Sequence, residues 1–348
     1  VNSARNTGLA AWGSEPFAGR TAGPTQLTPV LTVPVRGFGT SPNNTAELQQ
    51  KIADQVALLD QVFVSGDMNQ FDEIFKALDA MKSEVETDPA ARIAHRDAMS
   101  ALMALSQDAP RLLEAVLHKG VNSMETLADH FDLDNHLREL PPSLEGICQL
   151  DPDECLALSL YSVRHRFMSI GSEVFRAVNA LDRVPLPAAA QALQFLTEPL
   201  ASGMAKLPEL NGVQLRRGIQ IGEHGDTLAL SDAQAQFAAG ETLHLGAPTT
   251  GSLRAAYPGN VVLFVRSAAQ DSRLRDTSAF SYVGELQQEA TFLPGTRLRI
   301  DRADQWEVPS DWERHDQTVA SSGRSWSGLQ GMPVLMVQAS EVAGNESR

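Results

Sequence analysis

The sequence predicts an α+β fold in which helices come first and strands follow. Three observations carry this. Apolar residues recur at helical spacing from Thr45 to about residue 140. A second helical stretch begins at Asp151 and runs on past residue 200. After Pro208 the chain breaks into short apolar runs, "GVQLRRGIQI", "ETLHLGAPTT", "NVVLFVRSA", "EATFLPGTRLRI" and "MPVLMVQASEV", separated by Gly-rich turns. Helices segregated from strands mark α+β rather than a βαβ alternation.

The elements follow in order. Residues 1–44 are dominated by Gly, Pro, Thr, Ser and Asn, and read as a disordered or extended leader. No apolar block follows a basic start, so it is not a Sec-type signal peptide. Leu48, Ile52, Val56, Leu59 and Phe63 then fall on one helical face, and Phe71, Ile74, Phe75, Leu78 and Met81 repeat the pattern. Pro89 and Pro110 open two more helices, and Gly120 closes the second of them. Residues 45–140 are therefore expected to form a helical bundle, with "LPPSLEG" at 140–146 as the seam before a second domain at 145–348. Asp151 suits an N-cap and Pro152 the first turn of the next helix.

Composition narrows the partners. The 348 residues carry 28 basic and 43 acidic side chains, a formal net charge of −15. That balance argues against nucleic acid or an anionic membrane, which both reward clusters of Lys and Arg. No stretch reaches the roughly 18–20 apolar residues of a membrane span. Cys148 and Cys155 are too few for a disulfide framework and lack companion ligands for zinc. The eight histidines show no metal spacing; His224 and His244 read as structural. There is no Walker or dinucleotide fingerprint and no nucleophile elbow. Trp306 and Trp312 read as edge packing.

Three strand-associated motifs stand in order. "LRRGI" places Arg217 before Gly218; "PTTGSL" carries Thr250, Gly251 and Ser252; "QQEATFLPGT" carries Gln287 and Glu289 at a strand entrance. This order resembles the mono-ADP-ribosyltransferase toxin family, in the branch whose signature is Arg, Ser-Thr-Ser and Glu/Gln-x-Glu. "EATFLPGTRLRI" is similar to that family's Glu-bearing strand, and "DECLALSLYSVRHRFMSIGSEVFRAVNALDR" to the helices before its Arg strand. The resemblance covers residues 145–348. It implies a mixed α/β-sandwich ADP-ribosyltransferase-like domain behind the helical bundle.

The resemblance also implies roles. NAD would be the substrate, cleaved through an oxocarbenium-like transition state that one carboxylate can stabilise. Glu289 is the candidate for that carboxylate, and the family precedent has it hold the ribose 2′-hydroxyl. Arg217 is the candidate anchor for the diphosphate, because a guanidinium offers a planar fork of donors. Arg216, one residue earlier, should leave a regular strand on the other side. Gly218 permits close backbone approach to the ligand. Thr250 and Ser252 share a strand face and would support the site, Ser252 orienting Glu289. Gln287 stands where arginine-modifying members have Glu, so the acceptor is expected to be Asn, Thr or Gln rather than Arg. Rho-modifying exoenzymes carry this Gln-x-Glu form, and other members modify threonine, including on ubiquitin. Phe280 and Tyr282, in "TSAFSYVGELQQE", are the expected target-touching aromatics. No metal is expected.

The reading is therefore a secreted bacterial effector or toxin, its leader similar in composition to those of type III secreted effectors, acting in the host cytosol on a protein such as a small GTPase or a ubiquitin-like protein. The bundle would recognise the target or a secretion chaperone. Two other readings stay open: an NAD glycohydrolase, and an inactive transferase fold serving as a protein-binding module.

Overall fold

Pro89, Pro110, Pro152 and Pro187 each open a helix, and each helix needs acceptors for the backbone N–H groups of its first turn. The computed structural model describes residues 42–162, 169–221, 227–254, 259–281, 288–307 and 332–342. The predicted leader therefore lies almost wholly outside the described residues. So do Gln287, Tyr282, His224 and Trp312, as does the side chain of Trp306.

Ten α-helices lie among the described residues: α1 (Pro42–Ser65), α2 (Gln70–Val85), α3 (Pro89–Ser106), α4 (Pro110–His118), α5 (Met124–His130), α6 (Pro152–Tyr161), α7 (Ser169–Ala180), α8 (Pro187–Ala192), α9 (Gln194–Lys206) and α10 (Thr227–Gln236). Two of the proline-led helices carry their own acceptor. Asp88 accepts from the N–H groups of Ala90 and Ala91 at 3.0 and 3.1 Å. Asp151 accepts from Asp153 and Glu154 at 3.0 and 2.9 Å and completes a capping box with Glu154.

The other two begin after Ala109 and Leu186, which have no side-chain acceptor. Carboxylates from other helices close them. Glu173 of α7 accepts from Arg111 N and Leu112 N of α4, both at 2.9 Å. Asp60 of α1 accepts from Ala188 N and Ala189 N of α8 at 2.9 and 3.0 Å. Each cap thus also fixes where one helix sits on another.

The apolar faces read from the sequence meet in one core. Leu48, Ile52, Val56 and Leu59 of α1 and Phe71, Ile74 and Leu78 of α2 are buried, whereas Phe75 stays 39% exposed. This core continues through α6, α7 and α9 to Leu207. Beside and within the expected seam at 140–146, residues 135–138 and 142–144 are short 3₁₀ turns, and buried apolar residues on both sides of it share one cluster. Buried apolar residues of the helices in 45–140 and of those up to Lys206 belong to one cluster.

The strands form one mixed eight-stranded sheet. They are β1 (Gln214–Ile219), β2 (Thr242–Leu245), β3 (Thr249–Ser252), β4 (Val261–Arg266), β5 (Leu274–Asp276), β6 (Glu289–Phe292), β7 (Thr296–Glu307) and β8 (Pro333–Glu341). Their order is β2-β7-β8-β4-β1-β3-β6-β5, with only β4 and β8 parallel. Leu215, Val261, Leu263, Val265, Phe292, Leu335 and Val337 make a second core, covered by Leu230, Ala233 and Phe237 in and just beyond α10. The architecture is thus α+β, helices followed by a mixed sheet.

A buried ion cluster ties the two layers together. Asp232 of α10 is 3% exposed and accepts from Arg92 at 2.6 and 2.8 Å and from Arg96 at 2.8 Å. Both arginines lie one turn apart on α3, so the fork of donors closes from one helix face.

Candidate active site

Strand register assembles the site. On β3, Ser252 stands opposite Arg216 of β1 on one side and opposite Glu289 of β6 on the other. Residues directly opposite on paired antiparallel strands share a face, so Arg216, Ser252 and Glu289 form one transverse row. One step along, Thr250 faces Thr291, their hydroxyl oxygens 3.0 Å apart, and Thr277 lies 3.1 Å beyond. Two of the three sequence motifs thus lie on neighbouring strands, and the third on the strand next to them.

Glu289 is the first residue of β6, so the strand fixes its direction. The residue before it, Gln288, has φ +47°, a left-handed conformation that a side chain adopts at a cost. Gln288 O accepts from Leu253 N at 3.1 Å, which holds that turn against the end of β3. The Glu289 carboxyl accepts from Ser281 Oγ at 2.8 Å. Burial pushes it up to about 7, against the Ser281 hydroxyl, which favours the ionised form. Near neutrality this group therefore passes between acid and carboxylate.

Both arginines of "LRRGI" reach β3. Arg216 donates to Leu253 O. Arg217 donates to Thr250 O at 2.8 Å, and burial pulls its guanidinium below the usual range. Tyr161, Arg183 and Asp182 also bear on Arg217, after burial. The expectation that Arg216 turns away from the site is corrected, because the register sets it in line with Ser252 and Glu289. Gly218 lies on β1 opposite Val262.

Gly251, where the family pattern has Thr, has a local reason. A Cβ there would meet Arg216 O at 2.6 Å and Leu215 Cγ at 2.9 Å. β1 and β3 pass too closely at their crossing for any side chain on that face.

Behind the site stands Tyr161, at the end of α6 and fully enclosed. Its hydroxyl donates to Pro248 O at 2.8 Å. Burial pushes the phenol up to about 12, opposed by the Arg217 charge and the Thr250 hydroxyl. Phe280 is also corrected. Its ring is completely buried and packs into the helical core, so it anchors the turn rather than touching a target.

Ser252 is 2% exposed, and its hydroxyl accepts from Arg254 N at 3.0 Å. Sequence reasoning missed Ser281, Tyr161, Thr277 and Thr291. Ser281 lay inside "TSAFSYVGELQQE", quoted for its aromatics, but nothing in spacing alone aims it at Glu289. Among the described residues no cluster of three or more His, Cys, Asp or Glu side chains is placed to hold a metal ion.

Solved structures similar to this chain include an ADP-ribosyltransferase toxin and a type III effector. The ATR domain of Salmonella SpvB is 15% identical, with 55% of this chain and 98% of that one covered at a TM-score of 0.36. Plx2a, an ADP-ribosyltransferase toxin from Paenibacillus larvae, is 12% identical, with 64% and 98% covered at 0.41. The type III effector XopAI from Xanthomonas axonopodis pv. citri is 15% identical, with 80% and 94% covered at 0.39. No protein-family model matches the sequence, and a search of curated proteins finds no match.

Proposed function

We propose that this chain transfers ADP-ribose from NAD to a side chain of a host protein, as a secreted bacterial effector or toxin. The observation that carries the reading is the row Arg216–Ser252–Glu289, with a carboxyl of near-neutral pKa at its end. In the reaction the bond between ribose C1 and the nicotinamide nitrogen breaks. Nicotinamide leaves with the electron pair, and positive charge grows on the ribose. Ionised Glu289 stabilises that charge, and its low-polarity surroundings strengthen the effect. The acceptor side chain then bonds to C1 and gives up a proton.

Arg217 and Arg216 supply the guanidinium donors for the diphosphate. Thr250 and Ser252 hold the β3 edge of the site. Gln287 is assigned to orient the acceptor, on sequence grounds alone: an amide both donates and accepts, which suits Asn, Thr or Gln better than Arg. The target class that fits is a cytosolic host protein such as a small GTPase or a ubiquitin-like protein, with the outward helix faces available for recognition or for a secretion chaperone.

Labelled NAD incubated with host lysate tests this, with wild type beside Glu289→Ala. A labelled host protein that disappears with the variant supports transfer. Free nicotinamide without a labelled protein favours a glycohydrolase. Neither product points to a binding module on an inactive transferase fold.

A further inference from the structure

Glu289 faces a crowded set of groups. Ser252 lies opposite it on β3, Arg216 follows on β1, and its own charge bears on the Tyr161 phenol of α6. The hydrogen bond to its carboxyl, however, comes from the segment leading into its own strand. That segment is tightly built. Asp276 accepts from the backbone N–H and the hydroxyl of Ser278 at 3.0 and 2.5 Å, which starts a single 3₁₀ turn over Ser278–Phe280. Phe280 closes the turn with its ring inside the helical core. Thr277 N donates to Glu289 O at 3.1 Å, tying the turn to the first residue of β6. Ser281 follows, itself 8% exposed, with its Oγ 2.8 Å from Glu289 Oε2.

We propose that Ser281 is the positioning residue for Glu289: anchored through Phe280, its hydroxyl fixes the direction of the carboxylate and favours its charged form. The inference deepens the transferase reading and rests on it for the meaning of the carboxylate. Its physical content stands apart from turnover. A hydroxyl that donates to a carboxylate stabilises the charged form. The anchor removes rotational freedom from the donor, so little order has to be gained when the ligand arrives. Ser252, buried on β3, also accepts from Arg254 N at the strand edge.

The test follows the Glu289 carboxyl directly. Full-length protein carrying ¹³C-labelled glutamate is titrated by NMR, the resonance being assigned by its loss in Glu289→Gln. Ser281→Ala is expected to raise the midpoint by roughly one pH unit. Ser281→Thr, which keeps the hydroxyl, is expected to stay at the wild-type value. The acid limb of kcat for NAD cleavage should move with the midpoint, while KM holds. A midpoint unmoved in Ser281→Ala, or moved equally in Ser281→Thr, overturns the proposal. A wild-type protein that cleaves no NAD counts against the transferase reading instead, and the titration still judges the hydrogen bond.

Discussion

Glu289 stands opposite Ser252 across the β3–β6 pair, yet its carboxyl is held at 2.8 Å by Ser281, eight residues back along the chain. The local turn and the long-range register thus converge on the same side chain. The first orients it, and the second places it beside β3, in line with Arg216 of β1.

Replacing Glu289 with Gln is expected to cut NAD cleavage by roughly 100-fold or more, since a neutral amide cannot balance the charge growing on ribose. In wild type the rate should rise with pH through about 7, where the carboxyl ionises, and level off above. Kinetics at fixed ionic strength from pH 5.5 to 8.5 check both.

The same group has a stability signature of opposite sense. Its folded value is raised from 4.5 to about 7, so the folded chain binds the proton more tightly than the unfolded one. Stability therefore falls as pH rises between those values. Glu289→Gln escapes this cost and should exceed wild type by roughly 2–3 kcal/mol at pH 8, with no gain at pH 4. Urea unfolding at the two pH values measures the difference.

Glu154 behaves the other way. Burial raises its carboxyl, but the bonds from Lys206, Ser202 and Asp151 N outweigh burial and leave it lowered. Lys206 Nζ sits 2.5 and 2.7 Å from its two oxygens, and Ser202 Oγ at 2.6 Å. A depressed carboxyl adds stability above its unfolded value that is lost as pH falls through the folded one. Thermal melts between pH 3 and 5 should show a shallower acid limb in Glu154→Gln than in wild type.

Asp232→Ala strands Arg92 and Arg96 in the seam between α3 and α10. A loss of at most roughly 3–5 kcal/mol is expected from removing the carboxylate that both partly exposed guanidiniums share. Adding Arg92→Met and Arg96→Met should recover part of it, which denaturant curves of the single and triple variants will show.

Gly251→Ala places a methyl 2.6 Å from Arg216 O. The strand crossing must open, costing about 1–3 kcal/mol and shifting Arg216 out of line with Glu289. A fall in NAD affinity together with the lower melting point is the expected outcome.

The sequence made visible whatever is periodic or local. Leu48, Ile52, Val56 and Leu59 announce a helix face because their spacing is the helix period, and Asp151–Pro152 announces a helix start because cap chemistry is short-range. The position of Glu289 at a strand mouth was legible for the same reason. Contacts set by packing were not. Nothing near Ala109 or Leu186 says that Glu173 and Asp60 will cap their helices from 61 to 129 positions away. The seam at "LPPSLEG" read as a boundary because Pro and Gly interrupt helices, but an interrupted helix is not an interrupted core. Phe280 looked like a surface aromatic in a polar loop, and only the fold shows a cavity among helices waiting for its ring. Arg216 and Arg217 could not be ranked from a strand pattern alone, since alternation gives two sides but not which side meets β3.

The unbroken packing from Leu48 to Leu207 has a practical consequence for anyone dissecting the molecule. A fragment trimmed to begin near residue 145 would remove α1 to α5 from the cluster that also holds Phe280. A shortened chain that keeps this cluster whole therefore includes the N-terminal helices, however ordinary their outer surfaces look.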